Sequence, residues 1–463
     1  MRIALLSPPW QPMYMRNARC DFVSLSATQW YPLWLGYAGS WLEHCGHEVL
    51  LWDAPSRRMD YAATEQAIIE WRPDMLVTYT GQKSRENDVA IADRLTEKLG
   101  CLSVLAGPYY SARPEETLRL SQAVPYGIES EMEMPLMELA DGKRPTEIRN
   151  LVWRDGERIV RNEVRPYLNT EQLDRIPFVS RFFKNHVDLW DYKTISEFYP
   201  FMDIMTGRGC KWGQCTFCLW VHTYVKGFTY NLRSIENVVE EFAFIEREMP
   251  KVRSIMIQDD MLTDDRALEL SAQKIRRKLN IPWSCYARSN LTYETMRVMK
   301  RAGCRVLHVG YESGDQRINY AIKKGVTVRK MTEFTEDAKR AGLRIHGDFV
   351  IGFPGETKDT AETTIRWAKQ LNPHTAQFQL ANVLEGTPMH RTLSENGWLT
   401  PEGEPDYPDF SNGEIRAAAK RAYRRFYLSP QYAMKCLRHP YEHLLGRLKT
   451  ISVAVPAMFW RRW

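Results

Sequence analysis

Three cysteines, Cys210, Cys215 and Cys218, crowd into the segment Thr206-Gly207-Arg208-Gly209-Cys210-Lys211-Trp212-Gly213-Gln214-Cys215-Thr216-Phe217-Cys218, with four residues between the first pair and two between the second. Three thiolates on one loop can hold a metal centre. Structural zinc normally takes four protein ligands. Neither a fourth cysteine nor a histidine stands at zinc-ribbon spacing, although His222 follows four residues after Cys218. A four-iron cluster held by three cysteines leaves one iron open to a substrate. From the residues alone three readings stand: an open cluster, zinc completed by His222, or reduced thiols packed in a core.

The frame that must hold this loop is large. At 463 residues the chain exceeds the usual length of one domain, which predicts two domains and an appendage. Hydrophobic residues make up 44% and charged residues 26%, enough apolar surface for a large core, so disorder is excluded as the main state. The excess of 63 Lys and Arg over 57 Asp and Glu is too small to argue nucleic-acid binding by itself. No run reaches the roughly 20 apolar residues of a spanning helix. The start, Met1 to Pro9, ends in two prolines instead of a cleavage site and reads as a buried strand, which argues against secretion. Nine cysteines, an odd number and mostly scattered, favour reduced thiols over a disulfide framework.

Short apolar runs at Ile3 to Leu6, Glu48 to Trp52, Met75 to Thr78 and Cys101 to Leu105 alternate with helical stretches at Trp34 to Leu42, Tyr61 to Trp71 and Asn87 to Leu99. That rhythm predicts an α/β, doubly wound, Rossmann-like parallel sheet over residues 1–145. Ligands of such sheets sit at the strand carboxyl ends, here Pro9 and Trp10, Thr80 and Gly81, and Gly107, Pro108 and Tyr109. A hairpin around Asp155-Gly156 and a polar connector fill residues 146–198. Six further strands, Met202 to Met205, Ser254 to Ile257, Trp283 to Tyr286, Val306 to Val309, His346 to Ile351 and Ala376 to Leu380, predict a partial (β/α)6 barrel over 199–395. A helical extension over 396–463 carries a basic helix from Asn412 to Tyr427 and a basic, apolar tail from Tyr441 to Trp463.

The cysteine loop, with aromatic Phe217 before its last cysteine, resembles the signature of the radical S-adenosylmethionine superfamily, whose usual spacing is one residue shorter between the first two cysteines. Later segments are similar in order. Gln258-Asp259-Asp260 stands where relatives hold the methionyl amino group, and Glu312-Ser313, in Tyr311-Glu312-Ser313-Gly314, where they hold the ribose. The segment from Gly347 to Thr357, with Gly352 and Gly355, resembles the motif that backs the adenine, and Glu385-Gly386-Thr387-Pro388 replaces a more usual Pro-Gly-Thr-Pro. Arg288 reads equally as an anion contact or a structural ion pair. The N-terminal half resembles the cobalamin-binding domain of one large branch, through Leu5 to Pro9, Gly46-His47-Glu48-Val49 with Asp53, Gly107-Pro108-Tyr109, and Gly127-Ile128-Glu129-Ser130-Glu131. The Asp-x-His-x-x-Gly motif is absent, so cobalamin is expected without a histidine ligand, His44 and His47 being read as surface residues.

The resemblance implies a four-iron cluster on Cys210, Cys215 and Cys218, S-adenosylmethionine cleaved to a 5'-deoxyadenosyl radical, and cobalamin as methyl carrier. The expected reaction is C-methylation of an unactivated carbon in a lipid or specialised metabolite, with ferredoxin or flavodoxin as reductant. Ring contraction or another radical rearrangement is the alternative, and behind it a transfer-RNA modifier or a non-catalytic cobalamin or redox sensor. Trp30 to Leu35 resembles a segment of members acting on hopanoid lipids and reads equally as core packing. Cys285 and Cys304 are expected in the core. The location implied is cytoplasmic, with the tail either lying on a membrane surface or packed on the barrel.

Overall fold

The computed structural model describes residues 1–11, 14–16, 21–23, 28–194 and 196–438. Two large sheets organise them. The first holds β1 (Arg2–Ser7), β2 (Glu48–Asp53), β3 (Met75–Tyr79), β4 (Leu102–Ala106), β5 (Tyr126–Ile128), β6 (Leu151–Asp155) and β7 (Arg158–Arg161), in spatial order β2-β1-β3-β4-β5-β6-β7. The first five are parallel, and β6 and β7 close the edge as an antiparallel hairpin. Successive residues of a strand point to opposite faces, and here both faces are covered. Ile3, Leu5, Val49, Leu51, Met75 and Val77 join the main core, which includes the helix Leu33–His44. Ala4, Leu6 and Leu76 pack against Ile68, Ile91 and Leu95 on the helices of the opposite face. Strand order reverses at β1, so the crevice for a ligand opens beyond the carboxyl ends of β1 and β3.

The second sheet is all parallel and in sequence order: β8 (Phe201–Ile204), β9 (Ser254–Ile257), β10 (Trp283–Ala287), β11 (Cys304–Glu312), β12 (Arg344–Ile351) and β13 (Thr375–Leu380). Helices between the strands cover one face. Tyr311, Phe349 and Phe378 stack in turn, at 5.3 and 5.2 Å, and meet Trp367, Tyr423 and Phe426 of the outer helices. Alternate residues of the same strands therefore face the barrel interior. The helix Asn412–Tyr427 closes the outer layer beside β13, its Tyr427 hydroxyl donating to Ala376 O at 2.7 Å.

The two sheets share one continuous apolar core. Trp30 reaches from the N-terminal half onto Phe201 and His308, with ring centroids at 5.6 and 6.4 Å. The Tyr31 amide donates to Asp203 at 3.2 Å and its hydroxyl to Phe201 O at 2.8 Å. The segment from Trp30 to Leu35 is thus a packing device that seats one half on the other.

Sequence and structure differ in two places. The strand Tyr126–Ile128 carried no periodic signal, and the hairpin assigned to the connector continues the first sheet. The tail from Tyr441 to Trp463 lies outside the described residues. No helix among those described is long and apolar enough to cross a membrane.

Candidate active site

The cysteine loop leaves β8 at the carboxyl end of the barrel, the end where barrels place their chemistry. Its path is fixed by Asp259, buried just beyond β9. That carboxylate accepts from the Thr206 amide at 2.6 Å, from the Thr206 hydroxyl, and from the Gly207 amide at 3.2 Å. Burial pushes its pKa up to about 6, against the pull of those donors. Gly207 to Gly209 then pairs with Tyr230 to Leu232 as a short antiparallel ribbon. Gly213 adopts φ +60°, and a Cβ there would stand 2.3 Å from Gly227 O, so the longer first spacing is accommodated by a residue that only glycine can be.

Cys210, Cys215 and Cys218 form no disulfide and lie at intermediate exposure. Burial raises the Cys215 thiol pKa, while the nearby cations Lys324 and Arg288 pull it down. His222 Nε2 lies 3.0 Å from Cys215 O, which turns that ring toward backbone, and burial lowers its pKa. Among the described residues no three His, Cys, Asp or Glu side chains converge on a point that one metal ion could occupy. Three thiols outside any disulfide, with Lys324 and Arg288 beside them, suit a larger, anionic cluster better than zinc completed by His222.

Around the loop stand the other residues singled out from sequence. Phe217 packs on Phe353 at 5.1 Å. Gln258 donates to Asp203 at 3.1 Å, and its buried carbonyl oxygen has no partner. Asp260 is partly exposed beside it. Arg288 stacks over Trp212 at 4.5 Å and donates to Lys324 O, its buried Nε unpartnered. The Ser289 hydroxyl is likewise buried without a partner. Glu312 sits at φ +60° after a bulge in β11 and pairs with Lys324 at 2.8 Å. Gly310 leaves room for that pair, since a Cβ on it would meet Glu312 Oε1 at 2.4 Å.

Ser313 is engaged inside the fold, bonded to Thr364 at 3.2 Å and accepting from the Asp315 amide at 3.1 Å. Gly352, at φ +105°, and Phe353 donate their amides to Glu356, while Gly355 takes φ +80°. The barrel mouth thus gathers the cysteines, Phe217, Gln258, Arg288 and Glu312. Asp259 and Ser313 build the loops behind them.

At the first sheet's carboxyl edge, Pro9 O accepts from Asn87 at 2.9 Å and Trp10 lies edge-on to Tyr14 at 4.5 Å. The Thr80 amide donates to Ala106 O at 2.9 Å, and the Gly81 amide to Asp88 at 2.9 Å. Gly107 O accepts from Ser111, Pro108 is buried, and Tyr109 meets Trp220 at 6.4 Å. All seven residues proposed for this crevice line the ends of β1, β3 and β4. Aromatic rings flank this edge and suit the face of a flat ligand, and the buried, unpartnered Thr78 hydroxyl lies on β3 just before it.

Sequence reasoning missed what joins the two edges. Arg208, two residues before Cys210, is buried and donates to Glu131 at 2.7 Å and Glu133 at 2.6 Å. Its guanidinium lies over Trp34 and Tyr37 at 5.2 and 5.4 Å. Trp34 also meets Tyr224 at 4.5 Å, just beyond the cysteine loop. The only sequence signal was a lone charge in a glycine-rich loop. Lys324 gave none.

Known proteins share both the loop and the frame. Residues 204–368 match the model of the radical SAM superfamily. An uncharacterized methyltransferase of Pyrococcus horikoshii is 27% identical over 453 residues, covering 94% of each chain. The structure of TsrM, a radical S-adenosylmethionine methyltransferase from Kitasatospora setae with cobalamin and a 4Fe–4S cluster bound, aligns with a TM-score of 0.65 at 18% identity, over 85% of this chain and 78% of its own. OxsB, a cobalamin-dependent S-adenosylmethionine radical enzyme with aqua-cobalamin and S-adenosylmethionine bound, aligns at 0.68 and 14%, over 99% of this chain and 71% of its own. With Cys210, Cys215 and Cys218 at the mouth of such a barrel, residues 204–368 form a radical SAM domain, and the chain is an enzyme built on the two-sheet fold that TsrM and OxsB share.

Proposed function

We propose that this enzyme is a cobalamin-dependent methyltransferase that transfers a methyl group to an unactivated carbon. The reading is carried by one observation: the cysteine loop and the carboxyl edge of the first sheet face the same interface and are tied there by Arg208. When bound, a four-iron cluster on Cys210, Cys215 and Cys218 supplies the electron that cleaves S-adenosylmethionine, and cobalamin supplies a methyl carrier.

The chain's own residues do the positioning. Gln258 offers a buried, unpartnered carbonyl oxygen to an ammonium, and Glu312, neutralised by Lys324, offers acceptors to sugar hydroxyls. Phe353 and Phe217 provide an apolar face beside Gly352, suited to a flat base. The aromatic interface of Trp34, Trp220 and Tyr224 keeps water from the space between the two edges. A low-potential electron carrier such as ferredoxin or flavodoxin completes the system.

The test is anaerobic purification, reconstitution of cluster and cobalamin, and assay after addition of S-adenosylmethionine and reductant. Release of both 5'-deoxyadenosine and S-adenosylhomocysteine supports methyl transfer. Deoxyadenosine alone supports rearrangement, and neither product from a fully loaded enzyme overturns the reading.

A further inference from the structure

The inward faces of the barrel strands carry hydrogen-bonding side chains at nearly every level. In register across the sheet lie Tyr286, His308, His346 and Thr375, and next toward the mouth Gly310, Asp348 and Gln377, with Gln379 beyond them. The His308 and His346 rings sit 5.0 Å apart, and Tyr286 lies 5.2 Å from His308. His346 bonds Thr375 at 2.7 Å and approaches Asp348 at 3.4 Å. Deeper, the Ser284 hydroxyl is fully buried without a partner, as is the Gln258 carbonyl oxygen near the mouth. The aromatic residues Trp30 and Phe201 lie on one side of this interior.

Asp348 faces His346, Glu312 faces Lys324, and Arg288 is turned toward the Cys215 loop. Asp203 is buried between the Gln258 amide and the Tyr31 amide, with no cation bonded to it among the described residues. Residues Tyr286, Asp348, Gln377 and Gln379 retain partial exposure on this inner face, while their outward neighbours Phe349 and Phe378 are buried. A hydrocarbon seated here would take water from the partly exposed Gln377 and Gln379 amides and return no hydrogen bond for either of them. A molecule with its own donors and acceptors satisfies them.

Resting on the functional reading above, we propose that the methyl acceptor is a small molecule rich in hydroxyl or amide groups, bound by Gln377 and Gln379 beside Tyr286, and is not a lipid. The geometry thus divides the two substrate classes that the sequence left together.

The test uses the reconstituted holoenzyme with S-adenosylmethionine and reductant, supplied separately with the water-soluble and the chloroform-soluble halves of an extract of the source cells. Expected is a rise in 5'-deoxyadenosine release with the aqueous half only. Gln379→Leu should raise the amount of that half needed for half-maximal stimulation about tenfold, the loss of one good hydrogen bond. Visible absorbance of the cluster verifies that this variant is folded, and Gln377→Leu provides a second, independent probe of the same wall. Stimulation by the chloroform half alone, or by neither half while slow unstimulated release continues, overturns the inference. Absence of 5'-deoxyadenosine under every condition from a cluster-loaded enzyme overturns the functional reading instead.

Discussion

Arg208 and Glu131 lie 2.7 Å apart, both buried, on opposite sides of the junction between the two sheets. Glu133 completes the group at 2.6 Å. Burial and the neighbouring carboxylate raise the Glu131 pKa, and the guanidinium opposes them. Replacing Arg208 by methionine removes the charge while leaving an unbranched, largely apolar chain. Two carboxylates then remain buried without a cation, so Arg208→Met should cost about 3–5 kcal/mol in urea unfolding. The triple variant with Glu131→Gln and Glu133→Gln should recover much of that loss.

Each of Cys210→Ala, Cys215→Ala and Cys218→Ala should reduce iron per chain and abolish 5'-deoxyadenosine formation to background. His222→Ala should leave iron content at the wild-type level, because its ring serves the Cys215 carbonyl. Iron analysis and visible absorbance after anaerobic reconstitution decide between them.

Gly213→Ala tests the longer first spacing of the loop. The residue is held at φ +60°, and the new methyl group would press on Gly227 O. The strained backbone alone costs about 1 kcal/mol or more, and the loop must shift to clear the clash. Lower cluster occupancy is expected, measured as iron and sulfide per chain.

Glu356 makes stability depend on pH. Its carboxylate accepts the amides of Gly352 and Phe353, yet burial dominates and raises its pKa to about 7 from an ordinary 4.5. The folded state therefore holds this proton more tightly than the unfolded chain does. Its stabilising contribution is complete below pH 4.5 and is lost as pH rises through 7, amounting to about 3 kcal/mol in all. Glu356→Gln should flatten the difference between unfolding curves recorded at pH 5 and pH 8.

The legible parts of this chain were those with local causes. Ser254 to Ile257 is a short apolar run bounded by polar residues, and Tyr61 to Trp71 follows an Asp60 cap and ends at Arg72; both matched the elements found. The cysteines were legible because their spacing is confined to one loop. Tyr126 to Ile128 was not, because three residues containing a glycine form a strand only through pairing with β4 and β6. The Glu312–Lys324 pair depends on a bulge and a turn, and the Arg208 group on docking of distant segments, none of which leaves a period in the sequence. Asp259 stands where the motif put it but serves another role, holding the start of the cysteine loop.

Trp30 and Tyr31 insert against Phe201, Asp203 and His308, so the barrel's interior is finished by residues supplied from the other half of the chain. A gene fragment beginning at the barrel would leave an aromatic-lined hollow open to water and an Asp203 carboxyl missing one of its donors. Such a fragment should aggregate when expressed alone and be rescued by co-expression of the missing half. The two halves are thereby bound to be inherited as a unit, and shuffling either one into a foreign tandem would demand matching aromatic plugs.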